Sequence, residues 1–443
     1  MNDQTRVTGA HARQAQKRLP HRVLLIGLCL FPIVMTIGCD SLDNLLEVEV
    51  PGFLVADDLN AAALAETLVL GVQTDFECAF GSYVWATSTW TDEFWYGGAT
   101  NNEIVYGLRL QRLVDLGQQT RATACTTMAT YLPLHTARQQ AVVARELIEG
   151  FETAPAKKDF LLAKARVFEA YSYLLLGEAY CQVTVDGQVP PLSRDQTWSI
   201  AKTKFSEAAS LASSAGSDGD AIGKLALVGR ARTNLNLGDM GATLADANAV
   251  PNDFVYNATF DATPYRRTNT LVTRSVKNNG SSLSVHSSFH DLEVGGVSDP
   301  RTPSVEDGLV FLGSFPMYRQ LKYATNASPM PIGTGREAQL MAAEAAGGAA
   351  AVTIINNLRA TVSELDHVSD SHAGLPAYTG GTTAAEIKAL VIEERRRELF
   401  LQGHRIGDKL RYSEAWETGN DPHGRTYGPL TCIPLHEAEI EAI

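Results

Sequence analysis

The chain has 443 residues, 45% of them hydrophobic and 20% charged, a balance that fits a folded globular protein and excludes a disordered one. Its formal net charge is −13, and without residues 1–38, which hold five Lys/Arg and one Asp, it is −17. A surface of that sign repels phosphates and anionic lipid headgroups, which argues against nucleic-acid binding and against membrane attachment through a basic patch.

Arg6, Arg13, Lys17, Arg18 and Arg22 form a basic leader ahead of the apolar run from Val23 to Ile37. That run is shorter than the about 20 residues a membrane span needs, and it matches the core of a secretory signal. It ends in Thr36-Ile37-Gly38-Cys39, which looks like a bacterial lipobox with Thr36 where Leu is usual. Small Gly38 would admit the peptidase, and the Cys39 thiol would take the diacylglyceryl group. The expected organisation is a lipoprotein signal peptide over 1–38, a lipidated tether over 39–52 and a folded domain over 53–443. An ordinary cleaved signal with an incidental cysteine is the alternative.

The densest aromatic and polar cluster follows between Tyr83 and Arg109. Trp85 lies in an apolar stretch and reads as core. Trp90, Trp95 and Tyr96 lie among Thr, Asp, Glu and Gly, which suits a surface loop. With Asn101, Asn102 and Tyr106 they are candidates for a sugar-stacking platform: ring faces cover pyranose C–H patches, and amides bond hydroxyls. Core packing of the first helical layer is the competing reading.

From Phe160 onward the pattern is helical and paired. Phe160–Tyr180 is amphipathic and ends in Leu176-Gly177-x-x-Tyr180, like the first helix of a tetratricopeptide unit. Ala201-x-x-x-Phe205-x-x-Ala208 matches that unit's second helix, after a long loop from Cys181 to Ser199. Further pairs are predicted over Ile222–Leu237 with Met240–Ala249 and over Glu337–Ala346 with Ala349–Ala360. Between them, 251–331 is rich in Asn, Ser, Thr, Gly and Pro. Its short β-like runs are Leu271-Val272-Thr273, Leu283-Ser284-Val285 and Leu309–Leu312. The predicted fold class is mainly α: tetratricopeptide-like helical pairs forming one scaffold, with a loop-rich overlay containing a few short strands.

The last predicted helix opens on Thr383 with Glu386 at the third position, a capping box. Ile387, Leu390, Val391 and Glu394 share one face, and Gly403 suits a C′ position. The charged residues that follow, Glu394, Arg395, Glu398, Arg405, Asp408 and Arg411, read as a buried ion-pair motif holding this helix to the scaffold rather than as an active site.

Cys78, Cys125, Cys181 and Cys432 remain once Cys29 and Cys39 are set aside. Four cysteines allow three pairings. The expected one is Cys78–Cys125 with Cys181–Cys432, and four free, buried thiols are the alternative. No CxxC, HExxH, GxSxG or Walker motif occurs. His286-x-x-x-His290-Asp291 has metal-like spacing but no helical pattern to carry it, and Asp218-x-Asp220 lacks the other ligands of a calcium loop. Binding without chemistry, and without metal or cofactor, is the expectation.

The run Glu394-Arg395-Arg396, Glu398-Leu399, Gly403, Arg405, Asp408 and Arg411 resembles a C-terminal signature of the SusD/RagB family of outer-membrane nutrient-binding lipoproteins. Cys39 with the acidic Asp40–Asn44 stretch, the segment Arg336–Ala345 and the close Cys432-Ile433-Pro434-Leu435 with Glu439-Ile440 resemble that family too. Gln402, Ile406-Gly407 and Tyr412 depart from its pattern. The resemblance implies a lipid-anchored protein of the outer membrane, at the cell surface, that binds an oligosaccharide or peptide. Its implied partner is a SusC-like TonB-dependent transporter, to which it would deliver the ligand. A periplasmic tetratricopeptide-like scaffold without a small ligand is the alternative.

Overall fold

The computed structural model describes residues 62–99, 101–110, 130–262, 267–275, 282–311, 315–361 and 374–435. The expected signal peptide, Cys39 and the tether lie outside them, as does Cys125.

Helix α1 (Ala65–Trp90) is the centre of the molecule. Every residue from Ala79 to Trp90 is buried, so this half of the helix is enclosed on all sides. Its polar side chains are satisfied internally: the hydroxyls of Thr87, Thr89 and Thr91 donate to the carbonyls of Tyr83, Trp85 and Thr87 at 2.8–2.9 Å. Beyond it come β1 (Phe94–Tyr96), α2 (Asn101–Gly107), α3 (Tyr131–Gly150) and α4 (Lys158–Ala179).

Helix α4 pairs with α5 (Arg194–Ser214), and α6 (Asp220–Asn236) with α7 (Met240–Asn248). Glycines set the spacing. A Cβ on Gly177 would stand 2.6 Å from the Trp198 indole nitrogen, and one on Gly229 would stand 2.2 Å from the Phe205 ring. Only glycine permits these helices to approach so closely. A third pair, α9 (Gly335–Ala346) and α10 (Gly348–Ala360), turns on Gly347 and Gly348, both at positive φ. The scaffold is mainly α, built of tetratricopeptide-like pairs.

Helix α5 starts earlier than the sequence suggests. Residues 194–199, expected in the long loop, are helical because Ser193 and Gln196 form a capping box. That loop carries β2 (Gln182–Val183) paired with β3 (Leu192–Ser193).

The overlay contributes β4 (Val255–Ala258), α8 (Thr270–Ser275), β5 (Leu283–Val285), β6 (Glu293–Val294), β7 (Val297–Ser298), β8 (Ser304–Phe311), β9 (Phe315–Gln320) and β10 (Met330–Thr334). Among the described residues the strands pair only two at a time. Leu271-Val272-Thr273, expected as a strand, is part of α8. A helical turn buries both Leu271 and Val272, which a strand would send to opposite faces.

Helices α11 (Ala384–Glu398) and α12 (Arg405–Tyr412) close the chain. The Thr383–Glu386 capping box is formed, and Ile387, Leu390, Val391 and Glu394 are buried together. Gly403 is not the C′ residue, because α11 already ends at Glu398. It stands in the following turn at φ 77°, with Leu401 also at positive φ.

The ion-pair motif is a dense buried network. Arg395 forks onto Asp408 at 2.8 and 2.9 Å, and Asp408 also receives Arg411 at 3.0 Å. Arg405 forks onto Asp92 at 2.7 and 2.8 Å and onto Glu414. Glu394 takes Arg301 from the overlay at 2.7 Å and Arg359 from α10. Glu398 takes Arg336 from α9, and Arg411 reaches Glu344. Burial alone would raise the Glu398 carboxyl, but Arg336 and Arg301 outweigh it and hold Glu398 down at about 2.

Cys181 and Cys432 form a disulfide with Cα atoms 5.2 Å apart, next to a parallel bridge between Tyr180 and Ile433. Cys78 is also disulfide-bonded.

Asp408→Leu strands the buried Arg395 guanidinium, and removing one partner of such a pair costs about 3–5 kcal/mol. Arg395→Met combined with Asp408→Leu is expected to restore most of that loss, read as urea midpoints. Replacing both Cys181 and Cys432 by alanine opens a 251-residue separation and is expected to cost about 2–5 kcal/mol by the same measurement.

Candidate functional site

Strand β1 leaves the buried end of α1 and pairs antiparallel with β5, Trp95 opposite Ser284. Alternation along this strand decides the fate of its three aromatics. Phe94 and Tyr96 point inward and are buried, while Trp95 is half-buried on the other face.

Around Trp95 the structure assembles a strip of half-buried rings. His286 lies 4.5 Å from Trp95 between ring centroids, and His290 lies 6.3 Å away, edge to face. His290 in turn stacks on Tyr318 of β9 at 3.6 Å and 21°. On the other side the Trp95 indole hydrogen-bonds the Tyr427 hydroxyl. The buried Arg109 guanidinium sits 4.9 Å from the Tyr427 ring and 5.3 Å from that of Trp416. Lys409 covers Trp416 at 5.0 Å. The strip therefore runs Tyr318, His290, His286, Trp95, Tyr427, Trp416.

The strip is held from behind. His290 Nε2 is 2.8 Å from the Val285 carbonyl, and the Tyr318 backbone N–H donates to the Ser284 hydroxyl at 2.9 Å. His286 Nδ1 is 2.8 Å from the Ser288 hydroxyl. Burial pushes the His286 imidazole below its ordinary pKa, opposed by Asp92 and Glu417 and reinforced by His290 and Lys409. Burial also pushes the Tyr427 phenol up to about 12. Polar side chains border it: His423 Nε2 lies 3.1 Å from the Gly97 carbonyl, and Arg425 donates to Gly98 O at 3.0 Å.

These positions correct part of the expected platform. Trp90 is completely buried, packs edge-on against Tyr106 at 5.6 Å and donates to the Thr431 carbonyl. Tyr106 is equally buried, and Tyr96 is inside with its hydroxyl on Glu103. Polar neighbours in sequence do not expose them, because Thr87, Thr89 and Thr91 bond to the helix itself while Asp92 and Glu93 are consumed by the C-terminal segment. Of the expected rings, Trp95 alone is part of the strip. Asn101 and Asn102 open α2, and their side chains lie outside the described set.

Tyr318, Trp416 and Tyr427 have no part in the sequence-based platform. Trp416 offered one signal, a tryptophan beside a Gly-, Asn- and Pro-bearing stretch. The two histidines stand out in sequence for metal-like spacing, yet here they flank an indole. Among the described residues no group of three or more His, Cys, Asp or Glu could hold a metal ion.

No family model and no curated protein matches the sequence. Solved structures do. A SusD-like carbohydrate binding protein from Bacteroides vulgatus aligns with TM-score 0.64 at 13% identity, over 86% of this chain and 96% of that one. This protein has the SusD-like fold. A laminarin binding SusD-like protein aligns with TM-score 0.61 at 14% identity, over 86% of this chain and 97% of that one. Surface glycan-binding protein A from Bacteroides fluxus gives 0.60 at 14%, over 85% and 96%. On the SusD-like scaffold the Trp95 strip is a surface formed where the overlay meets the helical pairs.

Glu93, next to this strip, accepts the Leu401 backbone N–H at 2.6 Å. Burial raises its carboxyl from the ordinary 4.5 to about 7, with the Leu401 hydrogen bond opposing. The folded state thus keeps a proton that the unfolded chain gives up, so this stability is whole below pH about 4.5 and is lost as the pH climbs through about 7. Urea midpoints are expected to fall across that window, less steeply in Glu93→Gln, which keeps the acceptor and cannot ionise.

Proposed function

We propose that the protein captures an oligosaccharide on the strip centred at Trp95. The observation that carries this reading is the strip itself: half-buried aromatic rings, in contact one after another and fixed from behind, with hydrogen-bonding side chains along its border. Sugar rings bind through such surfaces, their apolar C–H faces on aromatic rings and their hydroxyls on amides, imidazoles and guanidinium groups. The SusD-like neighbours described as carbohydrate-, laminarin- and glycan-binding support the same class of ligand. No step of bond making or breaking is part of this proposal.

The proposal extends to location and partner on sequence grounds. Cys39 carries the lipid anchor at the outer membrane, at the cell surface, after removal of residues 1–38. The described residues include no helix long and apolar enough to cross a membrane, and the acyl chains on Cys39 would hold the protein at the bilayer by burying their methylenes. A SusC-like TonB-dependent transporter receives the ligand, with this protein closing over the pore.

Trp95→Ala is expected to weaken glycan binding about tenfold, equivalent to about 1.4 kcal/mol, with helical content unchanged. Glycan arrays followed by fluorescence titration provide the measurement, and unaltered affinity would exclude Trp95 from the site. Pull-down of the C-terminally tagged chain from native membranes, Cys39 intact, is expected to recover a TonB-dependent barrel. Recovery with periplasmic partners only would favour the scaffold reading.

A further inference from the structure

Two cavities open on either side of the segment 252–255, where the chain leaves α7 and enters β4. One, of about 260 Å³, lies against α9 and α10 and is bordered by Asn252, Gln339 and Asn357. The other, of about 450 Å³, lies against the start of α6 near Asp220 and Lys224. Asp253, Phe254 and Val255 line both, so this segment is the wall between the second cavity and the first, the groove against α9 and α10.

Phe254 is half-buried and packs against two hydrophobic clusters of the core, which fixes its place in the groove. Its backbone is pinned as well: its N–H donates to Pro251 O at 3.1 Å, and its carbonyl accepts from Gly335 at 2.7 Å. The side-chain amides of Asn252, Gln339 and Asn357 form no hydrogen bond with any described residue, although each borders the cavity. Each amide brings two donors and an acceptor. Arg336 also lines the groove, but its guanidinium is spent on Glu398, Thr361 and the Leu358 carbonyl.

This inventory selects for a ligand. An anion would find one ammonium, Lys224, among Asp218, Asp220 and Asp253. A metal ion finds no set of three ligating groups among the described residues. An apolar chain would desolvate three uncommitted amides, at a cost of about 1–3 kcal/mol each. A neutral, polyhydroxylated ring satisfies the amides and rests a C–H face on the phenyl group.

We infer that this groove is a second saccharide site, distinct from the Trp95 strip, which takes a neutral oligosaccharide with Phe254 as its stacking ring. The inference rests on the carbohydrate reading above but on separate residues. Two sites on one molecule would grip a long glycan at two points, raising its effective concentration at each.

The test uses the full chain labelled with para-fluorophenylalanine, with the Phe254 fluorine resonance assigned through Phe254→Leu. Probes are laminarin, starch- and cellulose-derived oligosaccharides, mannan and xylan oligosaccharides, and their monosaccharides. Tryptophan fluorescence, controlled by Trp95→Phe, reports the strip in the same titrations. The expected result is a Phe254 shift that persists in Trp95→Ala and is lost in the Gln339→Ala, Asn357→Ala double variant, whose positions lie at the surface. A Trp95 response with a motionless Phe254 resonance overturns the groove and keeps the strip. A Phe254 response without one at Trp95 keeps the groove and overturns the strip. Silence from both overturns the groove together with the carbohydrate reading.

Discussion

Everything in this molecule leans on buried arginines meeting carboxylates from distant parts of the chain. Helices α11 and α12 bring Glu394, Arg395, Glu398, Arg405, Asp408 and Arg411. Their partners come from the end of α1 (Asp92), from the overlay (Arg301), from α9 (Arg336, Glu344) and from α10 (Arg359). Such pairs add little net stability over an apolar core, because desolvation offsets most of the attraction. What they supply is exclusivity: a mispaired arrangement leaves a bare charge inside the protein. The C-terminal helices therefore have one place to sit, and the overlay has one way to cover them.

The site inherits its geometry from that network. Arg405 on Asp92 and the Leu401 N–H on Glu93 fix the two residues preceding β1, and β1 fixes Trp95. Arg396 reaches the Ser288 carbonyl and covers the Phe289 ring, which steadies the turn carrying His286 and His290. The same pairs that seat the last helix thus aim the rings of the strip, although none of them lies on the strip itself.

Much of the scaffold was readable because its causes are local. Leu176-Gly177-x-x-Tyr180 at the end of α4 and Ala201 and Ala208 in α5 announce a close helical pair, and Thr383 with Glu386 announces a helix start. The ion-pair motif was readable by chemistry alone, since that density of Arg and Glu in an apolar helix demands partners. Their identities were not, because Asp92 and Arg301 are close to Arg405 and Glu394 only in space. The site was least legible. Whether Trp90 or Trp95 faces outward depends on where α1 ends and on the pairing of β1 with β5, a contact across nearly 190 residues. Helix α8 was misread as a strand for a related reason: the β-branched residues of 271–273 favour extension, but a helical turn buries Leu271 and Val272 together.

The bonds from Asp92 and Glu93 into the 399–405 turn have a mechanical consequence. They weld the strip's supporting strand to the C-terminal end of the scaffold, so no hinge separates the rings from the helical pairs. A surface of that stiffness cannot fold around a ligand piece by piece. It meets a ligand ready-shaped, and any larger movement of the rings carries the helical pairs along with it.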